Sequence, residues 1–184
     1  MNRALTCVVL LTVIGTYTAT FVRAGESGPL KISEDVTLKV PEGYEWEELT
    51  LGLKKAPNSS ELQYIVKLKG GDPPIKALVR VIDRSASTQE ERKAEVDHYF
   101  DYLDSMFRAG PKGWQAVRRD RPEKYERLSH CTISSKHSSG AKGYYKALIV
   151  FGKKTVIIHC CDSVERIAEL NLEVLETSLS LAKE

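Results

Sequence analysis

The sequence predicts an α+β protein in which an antiparallel sheet of about six strands is flanked by two main helices, forming an α/β/α sandwich. Short apolar runs bounded by turn residues precede one long amphipathic segment, and the same order is then repeated. Two of the later runs, Ala147–Phe151 and Val156–Ile158, are apolar without interruption. Strands of that kind are covered on both faces. We therefore expect the two helices to pack on opposite faces of the sheet.

Length and composition are those of an ordinary folded soluble protein. The chain has 184 residues, of which 42% are hydrophobic and 28% are charged. The sequence has no internal repeat and gives no sign of a second domain. Residues 25–184 are therefore predicted to form a single domain around one core.

Residues 1–24 have the pattern of a secretory signal peptide. A positively charged start is followed by the apolar stretch Ala4–Phe21, and Val22 and Ala24 occupy the two positions that a signal peptidase reads. Cleavage after Ala24 would give an exported protein, periplasmic or secreted, without a membrane span. The alternative is a retained membrane anchor, for which the stretch is a weak candidate because it contains Gly15 and several threonines.

The charge of the mature chain argues against polyanionic partners. Removing residues 1–24 removes Arg3 and Arg23 and no acidic residue, which leaves 25 basic and 25 acidic side chains. A neutral chain has no long-range attraction for nucleic acid or for an anionic membrane. The expected partner is an unidentified protein or small ligand, and the sequence does not define the oligomeric state.

Four strands are predicted in the first half of the domain, each bounded by turn residues. The turn Pro41-Glu42-Gly43 ends the first strand, and residues 70–74 separate the third strand from the fourth. The predicted strands are Val36–Val40, Trp46–Leu53, Leu62–Leu68 and Ala77–Ile82.

A long helix is predicted over Ser87–Arg108. Ser87 and Glu90 have the spacing of a capping box, and Gly110-Pro111 is expected to end the helix through a left-handed glycine. Apolar residues recur at three- and four-residue steps and define one buried face. They are Val96, Tyr99, Phe100, Leu103, Met106 and Phe107.

Four further strands and a second helix are predicted in the second half. Gly152-Lys153 is interpreted as a two-residue hairpin turn between the last two strands, and Asp162 as the cap of the helix, with Glu165 three residues on. The strands are Trp114–Arg119, Arg127–Ser134, Tyr144–Phe151 and Thr155–Cys161. The buried positions of the helix are Val164, Ile167, Ala168, Leu172, Leu175, Leu179 and Ala182.

The start of the domain resembles a known family. The segment from Val36 to Tyr44, a strand followed by Pro, Glu, Gly and an aromatic residue, resembles the opening of PsbP-like and DcrB-like proteins, which share a Mog-type α/β/α sandwich. The element order agrees over residues 32–184. The family includes photosystem extrinsic subunits, a nuclear GTPase-binding protein and many exported bacterial proteins. The resemblance implies a non-enzymatic binding or accessory role, and it transfers no metal-binding or partner-binding residue to this chain.

Two His-Cys steps suggest an alternative function. His130-Cys131 and His159-Cys160-Cys161 supply the ligand types that zinc and copper prefer, and also the nucleophile and base of thiol chemistry. A metal-binding or thiol-redox protein would use these five residues. Adjacent residues of a strand point to opposite faces, however, so His130 cannot activate Cys131. The chain also lacks CxxC and HExxH motifs, and no cofactor is expected.

A tight hairpin at Gly152-Lys153 would bring Tyr145 opposite Cys160. With Cys131 near Ala147, Cys131 and Cys160 would then share one face of the sheet, two strands and about 10 Å apart. A disulfide needs Cα atoms within about 7 Å. Both residues are therefore predicted to be core thiols beneath a helix.

Two charged segments contain the candidate ligand-binding residues. Lys112–Arg127 is interpreted as a solvated edge strand and loop, with an anionic glycan, a lipid headgroup or an acidic partner as the alternative. Glu42–Glu48 is interpreted as an exposed strand with one buried ring, or as a stretch that faces the basic segment. The candidates are Trp46, Trp114, Arg119 and Tyr125.

No catalytic constellation is found, so the protein is predicted not to be an enzyme. Serine is plentiful, but a GxSxG nucleophile motif is absent. Asn58-Ser59-Ser60 matches the N-glycosylation pattern, which matters only in a eukaryotic secretory pathway.

Overall fold

The structure, a computed structural model, describes residues 20–21, 28–51, 61–110 and 112–182. Within those residues the chain is α+β, with a large antiparallel sheet, a smaller second sheet and two helices, which confirms the predicted class. The elements are β1 Thr20–Phe21, β2 Leu30–Lys31, β3 Val36–Leu38, β4 Glu45–Leu51, β5 Glu61–Lys69, β6 Ile75–Ile82, α1 Gln89–Ala109, β7 Trp114–Asp120, β8 Leu128–His137, β9 Lys142–Val150, β10 Thr155–Asp162, α2 Glu165–Thr177 and β11 Leu179–Leu181.

The large sheet joins two runs of consecutive strands. Its order is β1-β4-β5-β6-β10-β9-β8-β7, so α1 carries the chain from the centre of the sheet at β6 to its edge at β7. The described residues thus form a larger sheet than the predicted six strands. The first predicted strand belongs instead to the second sheet, of order β11-β3-β2.

The two helices pack on opposite faces of the large sheet. Leu103 of α1 lies in an apolar cluster with Ile149 and Ile157 of the sheet. Leu175 of α2 lies in a second cluster with Leu148, Ile158 and residues of the small sheet. Because side chains alternate along a strand, each of the central strands contributes to both clusters. The expectation that Ala147–Phe151 and Val156–Ile158 are covered on both faces is confirmed, since all of these residues are buried.

The ends of α1 differ from the prediction by small shifts. The N-cap is Thr88 and not Ser87, because the Thr88 hydroxyl accepts the N–H of Glu91 at 3.2 Å while the Glu91 carboxylate accepts the Thr88 N–H at 3.0 Å. The sequence contains the capping-box spacing twice in succession, and the second copy is used. At the other end, Gly110 has a φ of −77°, so the predicted left-handed glycine is wrong.

The second helix is shorter than predicted at both ends. Asp162 ends β10, where its side chain accepts the N–H of Val164 at 2.8 Å, and the N-cap Val164 receives no side-chain hydrogen bond. Val164 is 46% exposed. The predicted helical residue Leu179 instead starts β11, whose residues pair with β3. Tertiary pairing therefore overrides the helical periodicity of the last turn.

The connection between β9 and β10 shifts the predicted register by one residue. Cys161, not Cys160, lies opposite Tyr145, and Ile158 lies opposite Leu148. Residues 151–154 form the connection, and the N–H of Lys153 donates to the Asp35 carboxylate at 2.8 Å. The connection is thus held by a distant side chain and is longer than a two-residue hairpin. A one-residue slip moves every side chain of a strand to the opposite face.

Most of the predicted signal peptide and the Asn58-Ser59-Ser60 motif lie outside the described residues. Of the predicted signal peptide, only Thr20 and Phe21 are described, and they form β1 beside Leu51 and Thr50. Signal cleavage therefore stays a prediction. Neither helix in the described ranges is at once long and apolar enough to cross a membrane.

Candidate functional site

The sheet separates the histidines and cysteines that the sequence brings together. Cys131 and His159 lie on the α1 face, where both are opposite Ala147 of β9 and the His159 ring lies 6.1 Å from that of Tyr99. Cys160 lies on the α2 face in the cluster of Leu175. The prediction that Cys131 and Cys160 share a face is therefore wrong, for the reason given by the shifted register. The prediction that both are buried is confirmed, with exposures of 2% and 0%.

The buried thiols are poor reagents in the folded protein. Burial raises the pKa of Cys131 and of Cys160 to about 12. The thiolate is the nucleophile and the metal-binding form, so these residues behave as small apolar groups. His130 is exposed on the α2 face, where its Nε2 lies 2.8 Å from the Glu176 carboxylate.

His159 is a neutral ring inside the α1 face. Burial, together with the charge of nearby Arg80, lowers its pKa to about 4. Its ring meets those of Tyr99 and Tyr145 edge-on, and its Nδ1 has no hydrogen-bond partner among the described residues. Across those residues, no three His, Cys, Asp or Glu side chains are placed to hold one metal ion. Cys161 lies on the α1 face, packed against the cluster that contains Cys131. Because His130 and Cys160 lie on the α2 face, the five residues of the metal or thiol alternative do not converge.

The basic segment is an edge strand whose arginines are paired with nearby acids. Strand β7 ends the large sheet, and a bulge interrupts its pairing between Ala116 and Arg118. Arg119 donates to both carboxylate oxygens of Asp104 in α1, at 2.6 and 2.9 Å. Arg121 pairs with Asp97 of the same helix, and Arg118 pairs with Asp120 at 2.9 Å. Arg119 and Arg121 therefore help fix β7 and the following loop on α1.

Tyr125 lies near the start of α1, away from Trp114. Its N–H donates to the Gln89 side chain at 3.2 Å, and its carbonyl accepts from Arg92 at 3.3 Å. Trp114 contacts the other end of the helix, near Phe107. At 1.5 Å per residue these positions are more than about 20 Å apart along the helix. The two aromatic residues therefore do not form one site.

Trp46 lies at the other side of the sheet. Its backbone pairs with Leu68 in the β4–β5 ladder, and β4 is six strand spacings, or about 30 Å, from β7. The acidic segment therefore does not face the basic segment, and that alternative is wrong. Glu45 instead pairs with Lys69 of the adjacent strand at 3.3 Å.

A shallow groove lies where the last turns of α1 meet the start of β7, and we call it the α1–β7 groove. Its volume is about 280 Å³. Trp114 is the one predicted candidate among its lining residues. Those residues are Asp104, Phe107, Arg108, Trp114, Gln115 and Ala116.

The turn before Trp114 is fixed by glycine and histidine. Gly113 has a φ of +104°, and a Cβ there would lie 2.7 Å from Nε2 of His137, so only glycine fits without strain. His137 Nδ1 accepts the N–H of Ser139 at 3.1 Å, so in the neutral ring Nε2 carries the proton and donates to the Lys112 carbonyl at 3.0 Å. The His137 ring also lies 5.3 Å from that of Trp114. These contacts position the indole at the groove.

The charges of the groove do not cancel. The Asp104 carboxylate is neutralised by Arg119, whereas Arg108 is exposed and has no ion-pair partner in the described part of the chain. Phe107 adds a buried apolar floor. Gln115 is exposed, and as the neighbour of Trp114 in β7 it points its side chain to the opposite face of the strand. Sequence reasoning missed Asp104, Arg108 and Gln115, which are ordinary polar residues until α1 and β7 are brought together.

The chain was also compared with known proteins. No protein-family model matches it, and no curated protein matches it either. The interpretation of the α1–β7 groove therefore depends on its own geometry.

Proposed function

We propose that this chain is an exported, non-enzymatic binding protein built as an α/β/α sandwich of the PsbP-like and DcrB-like type. The single observation that carries the binding role is the α1–β7 groove, which combines the Trp114 ring with the cation of Arg108, for which the described residues supply no ion-pair partner. An apolar surface with a few convergent polar groups is the usual composition of a ligand site. The sandwich is supported by helices on opposite faces of an antiparallel sheet.

Binding is favoured over thiol chemistry by the state of the reactive groups. Cys131 and Cys160 are buried on opposite faces, and both are held in the thiol form. His159 is neutral and lies among aromatic rings. None of these three side chains lines the groove. The pattern of residues 1–24 supports export.

Site-specific photocrosslinking in the producing cells tests the proposed function. A photoactivatable phenylalanine derivative replaces Ala116, which lines the groove on the same face of β7 as Trp114, or, as a control, Val164, which is exposed beside α2. We expect a defined adduct from position 116 and none from position 164. Equal labelling from both positions, or none from either, would contradict a binding role for the groove. The N-terminal sequence of the isolated protein tests export, with Gly25 as the expected first residue.

A further inference from the structure

We infer that α1 is an acid-released cover of the sheet: when His159 takes up a proton, α1 lifts away while α2 stays in place. Three features of the molecule lead to this movement. They are the position of His159, the charges around it and the division of the buried residues between the two faces of the sheet.

His159 is closed off from water by α1. Its residue is 5% exposed in β10, and its ring lies 6.1 Å from that of Tyr99 in α1 and 5.7 Å from that of Tyr145 in β9. Its Nδ1 and the Tyr99 hydroxyl have no hydrogen-bond partner among the described residues. Leaving buried polar atoms unpaired is costly, and water could pair both atoms if α1 moved away. The closed interface therefore has a penalty that an open one would lack.

The charge nearest in effect to His159 is another cation. Burial, together with Arg80 of β6, lowers the pKa of His159 to about 4. Arg80 is itself 5% exposed and stacks on a tyrosine of α1 at 3.6 Å. The titratable side chains of the described residues around the rings of His159 and Tyr99 are Arg80 of β6, Tyr102 of α1, Cys131 of β8, Tyr145 of β9 and Cys161 of β10.

A protonated His159 therefore has no counterion within the closed interface. The buried carboxylate of α1, Glu95, already accepts a hydrogen bond from Arg84 at 2.6 Å. An imidazolium at position 159 would be a second buried cation beside Arg80, which is unfavourable. Lifting α1 would give both cations water. Acid therefore favours the open position of the helix.

The sheet keeps this opening local. The residues buried beneath α1 and those buried beneath α2 and the small sheet form two separate clusters. Lifting α1 would uncover Cys131 and leave Cys160 covered by α2. The ion pair between Arg119 and Asp104, which joins α1 to β7, has side chains that are 40% and 32% exposed, and exposed pairs contribute little. We therefore expect α1 to open at a lower free energy than the whole molecule.

The same movement would take the α1–β7 groove apart. Asp104, Phe107 and Arg108 of its lining come from α1, whereas Trp114 and Ala116 belong to β7, which is paired with β8. A ligand held between the two elements would be released in acid. This consequence rests on the proposed function, whereas the opening of α1 does not.

Thiol labelling in a Cys161→Ser background tests the opening, because one cysteine then remains beneath each helix. The reagent is a pyridyl disulfide, whose good leaving group keeps it reactive towards thiols in acid. Dividing each labelling rate by that of the same residue in urea-unfolded protein at the same pH gives the open fraction. We expect the open fraction at Cys131 to be about thirtyfold larger at pH 5 than at pH 7.5, because the pKa of His159 returns from about 4 to about 6.5 on opening. Cys160 should react more slowly than Cys131 at both values.

Three variants assign the effect to one side chain. His159→Leu should abolish the acceleration of Cys131 labelling in acid, and His159→Gln, which also stays neutral, is the second variant if the first does not fold. Exposed His130→Gln should retain the acceleration. Equal open fractions at Cys131 and Cys160 at pH 5 would show that the whole molecule opens and would overturn the inference. So would the absence of any acceleration, or its persistence in the His159 variants. A positive labelling result without photoadducts at position 116 would leave the opening of α1 in place and remove only its consequence for the groove.

Discussion

The two faces of the large sheet are equally buried but chemically different. The α2 face is mainly aliphatic, with Leu148, Ile158 and Leu175 at its centre. The α1 side also holds buried ionisable groups, since Arg80 stacks on Tyr102 of α1 at 3.6 Å and His159 lies against Tyr99. Burial of apolar area responds little to pH, whereas a buried imidazole contributes stability only while it stays neutral. Two equally buried faces can therefore differ in how strongly their contribution to stability depends on pH.

The largest expected effect concerns thiol reactivity, which both faces should suppress. A pKa raised from 9.0 to about 12 reduces the thiolate fraction of Cys131 and Cys160 about a thousandfold near neutral pH. Timed alkylation with peptide mapping should show both labelled far more slowly in native than in denatured protein. Partly buried Cys161 is the internal comparison and should react first. Labelling of Cys160 as fast as that of Cys161 would show that the α2 face is open.

The next effect is the loss of aliphatic packing on the α2 face. Leu148→Ala removes a fully buried side chain and leaves a cavity, so we expect the free energy of unfolding to fall by about 2–5 kcal/mol. Urea unfolding at pH 7.5 and pH 5 measures it. The loss should be similar at both values, and a loss that depends strongly on pH would contradict the assignment of ionisable behaviour to the α1 face.

The α1 face should weaken in acid because of His159. Its folded-state pKa of about 4 lies below the ordinary value near 6.5, so the unfolded chain binds more protons between these values. Neutral His159 therefore makes its full contribution to the free energy of unfolding above about pH 6.5. That contribution is lost as the pH falls towards 4, and the loss is about 2 kcal/mol at pH 5. Urea unfolding as a function of pH measures this slope. His159→Leu should remove it, and exposed His130→Gln should retain it.

The smallest effects concern the two helix starts. Thr88→Ala should destabilise the protein by about 1 kcal/mol, because it removes the acceptor for the Glu91 N–H. Val164→Ser should stabilise it by about 0.5–1 kcal/mol, because α2 lacks a side-chain cap. Thermal unfolding of both variants provides the measurement. Ser87→Ala is the matched control, and an effect as large as that of Thr88→Ala would place the cap at Ser87.

Much of the fold could be predicted because each strand or helix is determined by residues that are close together in sequence. The strand ending at Ile82 and the apolar face of α1 follow from periodicity and turn residues within a few positions. The β9–β10 register could not be predicted in that way, because Asp35 holds the connection from a distant part of the chain. The start of β11 at Leu179 likewise depends on its pairing with Leu38.

The candidate site was less predictable because it, too, depends on contacts between residues that are far apart in sequence. Trp46 and Trp114 both lie beside charged residues in the sequence, yet the order of strands places them at opposite sides of the sheet. Arg119 was predicted to bind a ligand, but its carboxylate partner Asp104 comes from α1. Only the packing of α1 on β7 distinguishes Arg119, which pairs with Asp104, from Arg108, which has no ion-pair partner among the described residues.

The small sheet ties early and late parts of the described chain to each other. Val36 and Leu181 are direct neighbours there, although they are far apart in sequence. A tether attached ahead of Leu30 and a load applied behind Leu181 would both act on this three-stranded ribbon. Because Leu30 lies beside Leu38 at one end of β3 and Leu181 lies beside Val36 at the other, a mechanical force between those two points would load the hydrogen bonds of the ribbon in shear.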